Sequence, residues 1–389
     1  MTMKMPVYLD NHATTRVDPR VVEAMLPFFT EQYGNASSKQ HEFGWFAEAA
    51  VEAARSQIAE LIGARDQEIV FTSGATESIN LAIKGVAECY SSKGNHIITV
   101  STEHKAVLDT CHRLEASGFR VTYLAVDRNG CVDPEEMERA ITDKTILVSV
   151  MAANNEIGTL APVEEISKIC ASHGVLFHTD ATQAAGKITI DLQRWQVDLM
   201  SLSSHKMYGP KGIGALVIRA AKPRIRLAPQ MDGGGHEHGV RSGTLNVPGI
   251  VGFGMAARIA QLELQTEAVR TRALRDKLVA GLRAQLEDIT VNGHPEFRLP
   301  NNANITIPGV KADRLMMDMK DVAISSGSAC SSSSPEPSHV LLALGLSKEE
   351  VLSSIRLGVG RFTTEEEINY AIRRIAETAR KRESVSMKV

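Results

Sequence analysis

The chain lacks several features that would narrow its role at once. It has no apolar run long enough to span a membrane and no short apolar core of the kind that opens a secretory leader. It has no Cys-x-x-Cys pair. Its five cysteines, Cys89, Cys111, Cys131, Cys170 and Cys330, are odd in number and scattered, which argues against a disulfide framework or a sequence-adjacent zinc knuckle. It has little excess charge: 43 Lys plus Arg against 46 Asp plus Glu leave -3, so bulk charge does not mark a nucleic-acid binder. Internal repeats and low-complexity linkers are also missing. The expectation is a protein of the reducing cytoplasm, with neither membrane nor nucleic acid as a partner.

What remains is an ordinary globular composition, 43% hydrophobic and 23% charged. At ~100–200 residues per domain, 389 residues suggest two or three domains. Short β-branched runs alternate with helix-length segments. Strands are predicted at Ile69–Phe71, Ile97–Val100, Val121–Leu124, Ile146–Val150, Val175–Phe177, Leu199–Leu202 and Ala215–Ile218. Between them lie helical patterns such as Phe46–Ile62, whose apolar residues recur every three or four positions and stop at Gly63. This is the βαβ pattern of a mostly parallel, seven-stranded sheet covered by helices on both faces, with ligands held at the carboxyl ends of the strands. After Pro248 the pattern changes to a long helix reaching Leu286. Short strands follow at Ile289–Val291 and Asn304–Ile307, then a helix near Asp313–Lys320 and a closing helix near Glu365–Arg382. We read 15–260 as a large α/β domain, with 1–14 and 261–389 forming a smaller α+β domain.

Chemistry-bearing residues follow the predicted strands. After Phe71 comes Thr72-Ser73-Gly74-Ala75-Thr76-Glu77, where small residues and a helix start suit an anion, or where Ser73 or Thr76 simply caps the helix. After Phe177 comes His178-Thr179-Asp180, an acid that either pairs with a buried cation such as a pyridinium or caps the next helix. After Leu202 comes Ser203-Ser204-His205-Lys206, a lysine that desolvation would make nucleophilic; Lys211 nearby is its competitor. Phosphate cradle, pyridinium partner and Schiff-base amine are together what pyridoxal 5'-phosphate requires.

With these segments in order, the chain resembles the cysteine desulfurases of the class V, fold-type I pyridoxal-phosphate enzymes. Further matches are Tyr8-Leu9-Asp10-Asn11-His12-Ala13-Thr14-Thr15, Tyr33–Ser38, Thr102-Glu103-His104, Asn154-Asn155-Glu156-Ile157-Gly158, Arg241-Ser242-Gly243-Thr244, Gly327-Ser328-Ala329-Cys330 and Ile355-Arg356-Leu357. The resemblance implies that Lys206 is the Schiff-base lysine and proton carrier. It makes His104 the ring-stacking acid–base histidine, Asp180 the pyridinium partner and Gln183 a contact of the ring hydroxyl. Ala75, Thr76, Ser203 and His205 match phosphate-site positions. Thr244 matches a phosphate contact given by a second subunit, which implies a homodimer with shared sites. Asn155 and Arg356 match contacts of the substrate carboxylate, and Asn155 also counts among the cofactor contacts.

Cys330 lies in the serine-rich run Ser325–Pro335, which has no bulky apolar side chain to bury and is expected to be a mobile, exposed loop (about 325–338). The resemblance makes it the nucleophile that takes sulfur from L-cysteine as a persulfide and releases L-alanine. The other four cysteines are expected to be structural. The serine-rich loop resembles the housekeeping and nitrogen-fixation group, which delivers sulfur to iron–sulfur scaffolds or other acceptors. No resident metal is expected; an iron–sulfur contact at Cys330 would be transient. The C-terminal tail Arg380–Val389 does not match the characteristic end of scaffold-serving members.

Overall fold

The computed structural model describes residues 5–221, 223–326 and 337–386. Cys330 and most of the expected loop therefore lie outside the described residues. Twelve strands are present: β1 (Val7–Tyr8), β2 (Ile69–Thr72), β3 (His96–Val100), β4 (Arg120–Leu124), β5 (Thr145–Ser149), β6 (Leu176–Asp180), β7 (Leu199–Ser203), β8 (Gly214–Ile218), β9 (Thr290–Asn292), β10 (Asn302–Thr306), β11 (Val322–Ala323) and β12 (Ser354–Gly358).

Seven of them form one sheet in the order β2-β8-β7-β6-β5-β3-β4. Only β8 runs antiparallel to its neighbours. The expected α/β sheet and all seven of its strands are present, with ends shifted by up to three residues. Alternate side chains feed two cores, as the strand period requires. Ile69, Phe71, Ile98, Val148, Met200 and Val217 face one apolar cluster, which includes Val51, Ile58, Ile250 and Phe253 from helices 42–62 and 247–283. Val70, Ile97, Leu147, Leu199 and Leu216 face another, covered by helices 75–90 and 105–115.

Helix Glu42–Ile62 starts four residues before its apolar repeat. The His41 side chain accepts from the Gly44 N–H and caps it, while Phe43 and Trp45 are exposed and so carry no core periodicity. Gly63, at φ 70°, ends the helix in the left-handed conformation, as its residue type predicts. The long helix Val247–Arg283 belongs to two cores. Its first half, through Ala257 and Ile259, packs under the large sheet. Leu274, Leu278 and Leu282 join a separate cluster with β10, β12 and helix 365–386.

That second cluster covers a three-stranded antiparallel sheet, β12-β10-β9. The chain's start joins it: β1 pairs in parallel with β11, and Asp10 bridges to Gly358. Val7 and Leu9 of this N-terminal segment are buried in the second cluster. Among the described residues no helix is long and apolar enough to cross a membrane.

Candidate functional site

The carboxyl ends of β2, β6 and β7 open into one cavity of about 500 Å³. His104, Asn155 and Arg356 complete its walls together with His12–Thr14. Ala75, Thr76, Asp180, Gln183, Ser203, His205 and Lys206 all line it. Of the candidate site residues that are described, only Thr244 does not; it is exposed, in the loop before the long helix.

One wall of the cavity is the N-terminus of helix Ala75–Tyr90. Its N-cap is Gly74, which makes no side-chain capping bond, so neither Ser73 nor Thr76 caps the helix. Instead the Ser73 N–H donates to Glu77 (2.7 Å), and Arg241 donates to the same carboxylate (2.8 Å). Burial opposes ionisation of Glu77, but these bonds hold its pKa below the ordinary value. First-turn N–H groups without a side-chain cap, with the helix dipole behind them, form an anion seat. Gly214 permits it to sit so close to the sheet. A Cβ there would lie 2.6 Å from Gly74 Cα and 2.5 Å from the Leu202 carbonyl oxygen.

Asp180 ends β6 and is buried. Its Oδ1 accepts from the Thr182 N–H at 2.9 Å, so it caps a bonded turn and not the expected helix, since turns follow over 182–187. It has no cationic partner among the described residues. A buried carboxylate of that kind suits a pyridinium N–H, which would supply both a proton and a charge. Gln183 is fixed from both ends: its Oε1 lies 3.0 Å from His12 Nδ1, and its Nε2 donates to the His12 carbonyl at 3.0 Å. Burial, reinforced by the Arg356 charge, lowers the His12 pKa to about 3, so this imidazole is neutral.

Lys206 follows β7 in a single 3-10 turn, Ser204–Lys206. Its amine donates to the His12 and Ala13 carbonyls, the latter at 2.8 Å. Its competitor Lys211 also lines the cavity but is exposed. Burial, with Lys206 and Lys211 nearby, lowers the His205 pKa to about 4, and its Nδ1 lies 3.1 Å from Thr14 Oγ1. His104 caps helix 105–115: its Nδ1 accepts from the Ala106 N–H at 3.1 Å. In the neutral ring the proton is therefore on Nε2.

The opposite wall carries Arg356, on β12 and 1% exposed. Nη1 donates to the Asn155 carbonyl (3.1 Å) and Nη2 to Asp10 (3.0 Å), while the buried Nε has no hydrogen-bond partner among the described residues. Ser325 pairs with Arg356 through both backbone bonds, at 2.6 and 3.3 Å. Beyond the undescribed stretch, Ser338 donates to Glu156 (2.5 Å), and His339 Nε2 lies 2.9 Å from the Glu103 carbonyl. Both flanks of the Cys330 segment are thus tied to residues adjoining His104, Asn155 and Arg356.

Sequence reasoning gave no role to His12, Thr14, Thr182 or Gly214. The first two stand in a quoted motif, but their position depends on the N-terminal segment pairing with the end of the chain. Burial raises the pKa of Cys111 and of Cys170 to about 12, which agrees with inert, structural thiols. Among the described residues no group of three or more His, Cys, Asp or Glu side chains is placed to hold a metal ion.

Comparison with known proteins agrees with this geometry. The aminotransferase class-V family model matches residues 7–370. The cysteine desulfurase IscS of Anaeromyxobacter dehalogenans is 59% identical over 384 residues, 99% of this chain and 95% of that one. The enzyme of the same name from Methylococcus capsulatus is 58% identical over 382 residues, covering 98% and 94%. Among solved structures, a NifS-like protein superposes with a TM-score of 0.89 at 41% identity, covering 96% of this chain and 99% of that one. SspA in complex with cysteine superposes with a TM-score of 0.82 at 38% identity, covering 92% and 99%. The chain belongs to the class-V aminotransferase family and, within it, to the cysteine desulfurases.

Proposed function

We propose that this protein is a pyridoxal-phosphate-dependent cysteine desulfurase that converts L-cysteine to L-alanine and carries the sulfur on Cys330 as a persulfide. The observation that carries the reading is the cavity itself. One space joins an uncapped helix N-terminus, a buried Asp180 without a cationic partner among the described residues, a strand-end Lys206 and a buried Arg356. Those residues fit the cofactor. The helix start with Thr76, Ser203 and His205 would hold its phosphate, Asp180 its ring nitrogen, and Gln183 and Asn155 its ring substituents. When bound, the cofactor supplies a carbonyl that condenses with amines and a ring that accepts the electron pair left by a departing α-proton.

The chain's own residues do the rest. Arg356 receives the substrate carboxylate, its fork oriented by Asp10 and the Asn155 carbonyl. Lys206 takes the α-proton and returns it elsewhere on the substrate. His104 presents an Nε2 proton donor to the cavity wall and can exchange that proton. Cys330, as thiolate, attacks the substrate sulfur. A sulfur–sulfur bond forms, the sulfur–Cβ bond breaks, and its electron pair stays on carbon, which takes up a proton to become the methyl group of alanine. The tethered flanks at Ser325 and Ser338 support delivery of Cys330 to this cavity.

The relatives named cysteine desulfurase IscS and the neighbour solved in complex with cysteine support the same substrate. The exposed Thr244 supports a homodimer in which Thr244 of the partner subunit completes each phosphate seat. The sulfur acceptor is an iron–sulfur scaffold or another acceptor protein, and the setting is the cytoplasm. The test is a paired assay of alanine and sulfide from L-cysteine with a thiol reductant. Equal, cofactor-dependent yields are expected; alanine without sulfide, or neither product from yellow enzyme, would overturn the reading.

A further inference from the structure

A second cleft, of about 390 Å³, lies between the end of helix 247–283 and strands β9 and β10, away from the cavity described above. Three of its lining residues are arginines: Arg275, Arg283 and Arg298. Its one acid, Asp276, is already engaged by Arg275 through two bonds, at 2.8 and 2.6 Å. Arg283 has no hydrogen-bond or ion-pair partner for its guanidinium among the described residues. Arg298 is the informative residue. It is 7% exposed, and its hydrogen bonds go only to neutral oxygens: the Ile157 carbonyl (3.1 Å), the Asn302 carbonyl (3.3 Å) and the Asn302 side chain (3.1 Å). All three come from Nη2. Its buried Nε has no partner, and Nη1 donates to no described residue.

A buried guanidinium without a carboxylate is costly, because neutral carbonyls repay only part of its lost hydration. Burial and the neighbouring Arg275 lower its pKa to about 10, against a partial offset from Asp276. Three forks and one spent carboxylate leave the cleft short of negative charge. Asn129 and Asn302 add polar groups to its walls. We propose that this cleft is a binding site for a small oxyanion, a phosphate or carboxylate group gripped by Arg283 and Arg298. Guanidinium forks match the paired oxygens of either group, and the volume suits a small organic anion. The inference stands apart from the desulfurase reading, since it concerns neither the cofactor nor the substrate.

The test is calorimetric titration of the cofactor-loaded protein, whose own phosphate seat is then filled, with inorganic phosphate and separately with citrate. Ionic strength is held constant with sodium chloride. Saturable binding of at least one anion is expected. Arg283→Gln should weaken it about tenfold or more, a loss of one or two charge-assisted bonds. Arg298→Met should abolish it. Arg272→Gln, exposed on the same helix but outside the cleft, should leave it unchanged and controls for net charge. Phosphate-only or citrate-only binding would identify the group preferred. The proposal fails if neither anion saturates, or if Arg272→Gln weakens binding as much as Arg283→Gln. Should Arg298→Met not fold, the comparison of Arg283→Gln with Arg272→Gln decides alone.

Discussion

The wall proposed to hold the cofactor and the wall proposed to hold the substrate carboxylate are built in different ways. Asp180, Ser203, His205 and Lys206 sit at or just beyond the ends of adjacent parallel strands, so each is placed by its own strand, although the Lys206 amine and the His205 ring then bond the His12–Thr14 segment. Arg356 is held across long stretches of chain, by Asp10 and Asn155, on a strand paired with β10 and bridged to Ser325. One wall is set by local geometry in a rigid sheet. The other depends on two cores being brought together. Damage to the first should therefore abolish chemistry, whereas damage to the second should loosen substrate binding before it touches the cofactor.

The largest expected effect is on the first wall. Lys206→Ala should lose the visible Schiff-base absorbance and about a thousandfold or more of turnover. Lys211→Ala, on the same cavity but exposed, should keep the absorbance and lose less than about tenfold. Absorbance and product assays on both variants separate the two lysines.

On the second wall, Arg356→Lys keeps the charge but loses the fork that grips Asn155 and Asp10. KM for cysteine should rise by about a hundredfold, equivalent to two to three kcal/mol, with cofactor absorbance unchanged. If the absorbance falls instead, the two walls are not separable. A smaller effect is expected at Asn302, whose amide donates to the Glu156 carbonyl at 3.1 Å and steadies the segment bearing Asn155. Asn302→Ala should cost about tenfold in kcat/KM.

The smallest effect is on stability against pH. Burial lowers the pKa of His178 to about 3, and burial with Arg356 does the same for His12. Their unfolded values lie near 6.5, so below about pH 6.5 the unfolded chain binds protons that the folded chain does not, and stability falls as pH falls. Glu103 acts in the opposite sense. Burial, with Asp180 nearby and only the Met151 N–H opposing, pushes its carboxyl well above the ordinary range. Its contribution is present at low pH and is lost as pH rises. Glu103→Gln removes that offset. In this variant the unfolding free energy should drop by about 2 kcal/mol or more between about pH 7 and about pH 5.5, as denaturant midpoints would show. A flat profile would mean that these histidines are solvated.

The same contrast explains what could be read in the sequence. The seven sheet strands were legible because most are short apolar runs buried on both faces, the edge strand β4 being only partly buried, and the residues after them were legible because strand ends place ligand groups. β12 was visible only as the Ile355-Arg356-Leu357 match. Its buried arginine breaks the apolar run, and its partners are remote. The two-residue strands β1 and β11 carry no periodicity at all. His12 escaped notice because its carbonyl accepts from both Lys206 and Gln183, and no side-chain pattern encodes a carbonyl's position. The Glu77–Arg241 pair beside the helix N-terminus spans a sequence gap that local spacing cannot bridge.

The most direct test of the account is mass spectrometry of the holoenzyme after brief exposure to L-cysteine without reductant. The account predicts one added sulfur atom on the peptide carrying Cys330, none on those carrying Cys89, Cys111, Cys131 or Cys170, and alanine in equal amount. Alanine and sulfide formed at full rate with Cys330 unmodified, or by Cys330→Ala, would contradict it.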